Sequence, residues 1–209
     1  MVSYDEAVAS SLEYFKGDDM AATKFVDKYA LRTENDEILE LNPDEMHRRI
    51  ARELARIEAK YPNPLSEEEI YDHLKGFKDI IPQGSPLSGI GNTGKFQSLS
   101  NCFVIRSPYD SYGGIFRSDE EMTQIMKRRG GVGFDISSLR PRGLMTANAA
   151  RTTDGISVFM ERFSNSCREV AQNGRRRALM LTVSCHHPQI RGFIKIKEDL
   201  KKVTGANIS

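Results

Sequence analysis

The stretch Leu99-Ser100-Asn101-Cys102-Phe103-Val104-Ile105 decides how this chain is read. A short run of β-branched and aromatic residues behind turn formers predicts a buried strand, and this one carries a thiol, Cys102. Further on, Arg128-Arg129-Gly130-Gly131-Val132-Gly133-Phe134-Asp135 makes a basic, glycine-rich turn that leads into a second apolar segment. A strand thiol beside a turn whose glycines admit a ligand to the backbone points to redox chemistry on a phosphorylated small molecule. The plainer reading stands next to it: a lone cysteine in a strand is more often an inert core residue.

Outward from Cys102 the pattern alternates. A helix is predicted from Ser118-Asp119-Glu120-Glu121 to about Arg129, a strand from Val132 to Ile136, then loop to about Ala150. A helix follows from Asp154 to about Ala171, with Ile156, Phe159, Phe163 and Val170 near one face. A strand over Arg177–Ser184 and a helix over Pro188–Lys197 complete the series. Strands alternating with helices predict a parallel α/β arrangement. The last segment, Val203 to Ser209, reads as the start of another strand with no cap or polar tail, so the chain is expected to be the front part of a larger protein or one half of a split one.

Residues 1–80 read as helical. Val8, Leu12 and Phe15 recur at helical spacing, as do Phe25 and Tyr29. Asn42-Pro43-Asp44-Glu45 is a helix start, with Asn42 as cap, Pro43 in the first turn and Glu45 closing a capping box. Met46, Ile50, Leu54 and Ile57 then form one apolar stripe, and Arg48, Arg49, Arg52 and Arg56 are expected mostly on the solvated side. Pro62 and Pro64 stop this helix, and Ser66-Glu67-Glu68-Glu69 opens another. From Pro82 to Gly94 the glycines and prolines predict a long loop, a common home for functional residues. The organisation expected is a helical segment over 1–80 and an α/β portion over 81–209.

Of the 209 residues 39% are apolar and 28% charged, a globular balance that can fill a core. Lysine plus arginine number 30 against 29 acids, a net charge of +1. That balance argues against a nucleic-acid coat and leaves any anion site to local clustering. The sparse, odd set Cys102, Cys167 and Cys185 fits a reducing cytoplasm, not a disulfide framework. No apolar run approaches the ~20 residues that span a bilayer, and Met1 to Phe15 carries acids where a signal peptide has a basic head.

Three basic clusters flank strand ends: Lys127-Arg128-Arg129, Arg140-Pro141-Arg142 and Asn173-Gly174-Arg175-Arg176-Arg177. Each presents guanidinium groups beside glycine or proline, a combination that suits phosphate, although basic runs are commonly just solvated. Gly130-Gly131-Val132-Gly133 is not the dinucleotide fingerprint, since it precedes a strand and that motif follows one. Asp110-Ser111 can hold a ribose hydroxyl or serve as ordinary turn chemistry. Cys185-His186-His187 lacks a carboxylate at ligand spacing and reads as turn packing, with no metal expected. No hydrolase motif and no P-loop is present.

Together these residues resemble the large catalytic subunit of ribonucleotide reductase, in the N-terminal part of its catalytic domain. Phe25 to Leu31 and the Pro43–Ala59 helix are similar to the family's helical entry segment. The densest likeness runs from Gln83 to Ser209: Ser98 to Val104, Gly130 to Gly133 through Leu139-Arg140-Pro141, Gly174 to Arg177, and His187-Pro188. The resemblance implies a helical N-terminal segment followed by the first part of a ten-stranded α/β barrel. The activity implied is reduction of ribonucleotides to deoxyribonucleotides by thiyl-radical chemistry, for DNA synthesis.

By the same resemblance Cys102 is one of two cysteines that reduce the substrate 2′ position and become a disulfide. Ser85, Asn101, Gly131 and Arg176 are implied to touch substrate. Asp110, Ser111, Arg140 and Gln172 are implied to bind a dNTP or ATP effector, with Ser137 to Thr146 as a first effector loop and Gln172 to Arg177 as a second. The radical-bearing cysteine and the second redox cysteine are expected beyond Ser209, since Cys167 and Cys185 match neither role. Asn173 stands where members more often have glycine, and nothing matches the ATP-cone activity domain. The short helical N-terminus with Asn101-Cys102-Phe103 is more like the adenosylcobalamin-dependent class than the class with a separate radical subunit.

The partners implied are the C-terminal remainder of the catalytic subunit, a second copy in a homodimer, and a dithiol reductant of thioredoxin type. A non-catalytic nucleotide-binding regulatory module is the alternative. A nucleic-acid-binding module is disfavoured by the charge balance and by the lack of aromatic platforms near the arginines.

Overall fold

The structure is a computed structural model that describes residues 2–170, 178–196 and 198. It divides into two compact units, Met1–Ser100 and Asn101–Ser209.

The first unit is helical: α1 (Tyr4–Tyr14), α2 (Asp19–Lys28), α3 (Pro43–Glu58), α4 (Glu67–Leu74) and a short α5 (Gly84–Gly89). Local chemistry sets the helix starts. The Asn42 side chain accepts from the Asp44 and Glu45 N–H groups, as predicted, and Pro43 fills the first turn. Glu45 does not close the expected box; its carboxylate accepts instead from the Leu41 N–H at 2.6 Å, one residue before the cap. Ser66 and Glu69 do form a reciprocal capping box on α4. Met46, Ile50 and Ala51 of α3 are buried with Val26, Ile38 and Leu74, whereas Leu54, expected in the same stripe, is 36% exposed.

Two further expectations in this unit change. The Pro82–Gly94 stretch is not all loop, since α5 occupies its first half. Arg49 is not on a solvated face. It is buried, with its Nε 2.6 Å from Glu40 Oε1, and its Nη groups donate to the carbonyls of Leu87, at 2.9 Å, and Ile90. Glu40 in turn accepts from the Leu31 N–H at 2.7 Å. Arg49 therefore satisfies α5 carbonyls that the helix end leaves open, through an acid nine residues upstream in the chain that no helical periodicity marks.

The second unit alternates strands and helices, as expected: β1 (Cys102–Val104), α6 (Tyr112–Met126), β2 (Gly131–Asp135), α7 (Ile156–Val170), β3 (Leu179–Thr182) and α8 (Ile190–Lys195). The sheet order is β1-β2-β3, all parallel. One face packs Val132, Phe134, Leu179 and Leu181 against Met122 and Met126 of α6 and Met160 and Phe163 of α7.

α6 begins earlier than predicted. Ser111 caps it by accepting from the Gly114 N–H at 3.1 Å. The acidic trio predicted to start it lies mid-helix, where buried Asp119 pairs with Arg162 of α7 at 2.9 Å. The predicted second effector loop, the predicted strand at Val203–Ser209 and the Arg177 start of the predicted strand Arg177–Ser184 lie outside the described residues.

Candidate functional site

The parallel register sets the site. Cys102 pairs with Gly131 and Val104 with Gly133, while Gly133 pairs with Met180 and Asp135 with Thr182. Alternation along a strand sends these side chains to the sheet face opposite the helices. That face is open: Val104 is 91% and Met180 56% exposed, and Cys102 is exposed. The expected burial of Cys102 is thus wrong. Its strand is real, but β1 is the edge of the three described strands, and helices cover only the other face. Because Gly131 and Gly133 carry no side chain, the middle strand leaves a trough beside the thiol. The Asn101 carbonyl accepts from the Gly131 N–H at 2.7 Å, so two of the four positions implied to touch substrate are fixed next to Cys102.

Gly130 has a different task from the one its sequence suggested. A Cβ there would lie 2.6 Å from Ile125 Cγ2 and 2.7 Å from Phe103 Cε2. It lets α6 run into β2 in close contact with β1, and it serves packing, not ligand access.

At the far end of β2, Asp135 Oδ2 accepts from the hydroxyls of Ser137 at 3.0 Å and Thr182 at 2.9 Å, and Oδ1 from the Ser137 N–H at 2.9 Å. Burial works to raise the Asp135 pKa. The Ser137 and Thr182 hydrogen bonds and nearby His187 outweigh it and hold the carboxyl below its ordinary range. The Ser137 hydroxyl also accepts from the Ser184 N–H at 2.7 Å, which ties the ends of β2 and β3 together.

A second feature lies where α6 begins. Asp110, Ser111, Tyr112, Ile115, Arg140, Thr146, Asn148, Thr153 and Phe159 line a cavity of about 370 Å³, within the size range of small-ligand sites. Asp110 Oδ2 lies 2.6 Å from Arg140 Nε, and Asp110 Oδ1 accepts from the Arg140 N–H at 3.2 Å. Arg140 also donates to the Met145 carbonyl at 2.7 Å. The acid and the arginine that sequence placed in one effector site are therefore in direct contact, in a pocket with aromatic and apolar walls. A carboxylate that accepts from hydroxyls, a guanidinium that donates to phosphate and a ring that stacks on a base are groups that suit a nucleotide.

Other predicted residues fall elsewhere. Ser85 lies buried in the first turn of α5, in the first unit, not in a loop. Gln172 and Arg176 lie outside the described residues. His187 is a packing residue: its Nε2 is 3.0 Å from the Leu139 carbonyl, and its Nδ1 accepts from the Gln189 N–H at 3.1 Å. Sequence reasoning passed over Gln189, whose side-chain oxygen bonds two distant segments; only its place after His187-Pro188 could have drawn notice.

Residues 100–208 match the family model for the ribonucleotide reductase barrel domain, and residues 15–90 match that for the ribonucleotide reductase all-alpha domain. The chain belongs to the ribonucleotide reductase large-subunit family. It is 32% identical over 141 residues to a vitamin B12-dependent ribonucleoside-diphosphate reductase of Thermoplasma acidophilum, covering 66% of this chain and 18% of that protein. It is 31% identical over 180 residues to the ribonucleoside-diphosphate reductase subunit alpha of Helicobacter pylori, covering 86% of this chain and 21% of that protein. A vitamin B12-dependent ribonucleoside-diphosphate reductase of Mycobacterium tuberculosis is 28% identical over 182 residues, 86% of this chain and 26% of the relative. The chain thus spans about a quarter or less of the length of these family members. The parallel strands of the second unit fall within the stretch that matches the barrel domain, and α2 to α5 within the all-alpha match.

Proposed function

We propose that this chain forms part of a ribonucleotide reductase catalytic subunit that converts ribonucleotides to deoxyribonucleotides. The observation that carries the reading is the exposed Cys102 thiol on an open sheet face, paired with Gly131 in the register. A strand fixes the thiol, and the trough over Gly131 and Gly133 lets a ribose approach it, as controlled radical chemistry requires. In this reading Cys102 and a second cysteine, outside this chain, are oxidised to a disulfide while the 2′-hydroxyl of the substrate leaves as water. A dithiol of thioredoxin type then restores both thiols by exchange. Asn101, Gly131, Ser85 and Arg176 contact substrate.

The cavity at Asp110 and Arg140 takes the effector, a dNTP or ATP. Ser111 and Gln172 belong to the same site. Two ligands with different contacts to one structure are what allosteric coupling needs.

The radical source in this reading is adenosylcobalamin, supported by the B12-dependent relatives. In this reading the corrin is held by the rest of the catalytic subunit, and no step here runs through it. The working enzyme is a cytoplasmic homodimer that includes the rest of the catalytic subunit, and this chain alone is inactive. No helix among the described residues is long and apolar enough to cross a membrane.

The test combines the chain with the rest of the subunit, adenosylcobalamin, a dithiol and labelled CDP or CTP. Deoxynucleotide formation that is lost in Cys102→Ser supports the proposal. Undiminished turnover in that variant refutes it and favours the regulatory-module alternative.

A further inference from the structure

The effector cavity has three walls: the loop after β2, the start of α6 and the N-terminal turn of α7. Two of them meet at one atom. Gln189 Oε1 accepts from the Arg142 N–H at 3.0 Å and from the Ile156 N–H at 3.1 Å. Arg142 follows two residues after cavity-lining Arg140, and Ile156 opens the helix that contributes Phe159.

The oxygen satisfies an N–H that the start of α7 leaves open, and it does so from a residue 33 positions away in sequence. The backbone is built to receive it. Gly155 has φ +82°, and a Cβ there would lie 2.6 Å from the Arg142 nitrogen and 2.8 Å from the Gln189 amide carbon. A side chain at that position is excluded by both strain and space. Gln189 is itself aimed, since its own N–H donates to His187 Nδ1 while His187 Nε2 meets the Leu139 carbonyl. The turn after β3 therefore grips the loop at residues 139 and 142 and the helix at 156.

We propose that Gln189 is a positioning residue for the nucleotide cavity, holding the Arg140 loop and the α7 wall at the spacing a bound deoxynucleoside triphosphate requires. It does not line the cavity and acts only through the two walls. The inference rests on the reading of that cavity as the effector site. Without the shared acceptor the ligand has to order the walls itself, at the cost of a lost hydrogen bond or two, which corresponds to about tenfold in affinity. Because Gln189 lies in the turn after β3, the same grip links the cavity to that strand.

The test uses the 209-residue chain combined with the rest of the catalytic subunit and a fluorescent mant-dATP probe, with amide hydrogen exchange followed at Arg142 and Ile156. Gln189→Leu is expected to weaken probe binding about tenfold and to speed exchange at both amides. Gln189→Glu keeps an acceptor oxygen at the same reach and is expected to retain wild-type binding and protection. Should Gln189→Leu fail to fold, Gln189→Asn, one methylene short, carries the same expectation. Faster exchange with unchanged binding makes Gln189 merely structural and overturns the proposal. So does a Gln189→Glu variant that loses as much as Gln189→Leu. Arg140→Met separates the two levels of the argument. If it abolishes probe binding while Gln189→Leu leaves binding intact, only the positioning role fails. If wild type and Arg140→Met bind alike, or neither binds, the effector reading falls and the positioning role with it.

Discussion

Arg49→Met tests the least expected feature of the helical unit. The Arg49 side chain is 9% exposed and that of Glu40 5%, with Nε and Oε1 2.6 Å apart. Two α5-segment carbonyls also depend on the guanidinium. Methionine preserves much of the stem but leaves a buried carboxylate whose remaining partner among these contacts is the Leu31 N–H. Removing one member of a buried pair costs about 3–5 kcal/mol, because the surviving charge stays desolvated. The amides of Ile50 and Ala51, both fully buried in α3, report opening of this unit without assuming that the whole chain unfolds in one step. Their exchange should accelerate by roughly two to four orders of magnitude at neutral pH. The double variant Arg49→Met/Glu40→Gln removes both charges and should recover a large part of that loss, since the neutral amide oxygen at position 40 can still accept from the Leu31 N–H. An acceleration under about tenfold in the single variant, or a double variant with simply additive losses, would refute the claim that a desolvated ion pair holds α5 in place.

Two further outcomes follow from the packing. His47 is 0% exposed, its ring lies 4.6 Å from that of Phe77, and both its nitrogens lack a hydrogen-bond partner among the described residues. Burial holds its pKa below the ordinary value, with Asp44 opposing. Below about pH 6.5 the unfolded state takes up a proton that the folded state refuses, so stability falls as pH drops through that window. Urea unfolding at pH 5 and 7.5 should show this slope in the wild type and a clearly smaller one in His47→Leu; equal slopes would sink the assignment. Gly130→Ala, driven into Ile125 and Phe103, should cost about 1–3 kcal/mol in urea unfolding. Gly133→Ala, whose Cβ would lie 3.6 Å from Met180 Cβ, should stay within roughly 0.5 kcal/mol, and equal costs at the two glycines would contradict the packing role given to Gly130.

The sequence by itself determined what depends on near neighbours in the chain. Asn42 and Ser66 bond backbone two or three residues away, so the starts of α3 and α4 were legible. Alternation of strand and helix patterns predicted the parallel β1-β2-β3 sheet, and the order of short motifs around Cys102, Gly131 and Arg140 was enough to reveal the family. Glu45 and the start of α6 were misread by small margins, because several polar residues nearby could each have capped and only geometry selects among them.

Only the tertiary structure decided which side of an element faces a partner. Cys102 and Val104 have the composition of a buried strand, yet burial belongs to the neighbouring elements, and the helices of this unit cover the other face. Arg49 sits at a position that periodicity gives to solvent, but Glu40 and the α5 carbonyls reach it from elsewhere. Gln189 joins Arg142 to Ile156 across 47 and 33 residues of chain. Pairings at such separations leave no local periodic trace, because the chain pattern records which residues are apolar or can cap, while the packed elements determine whom they meet.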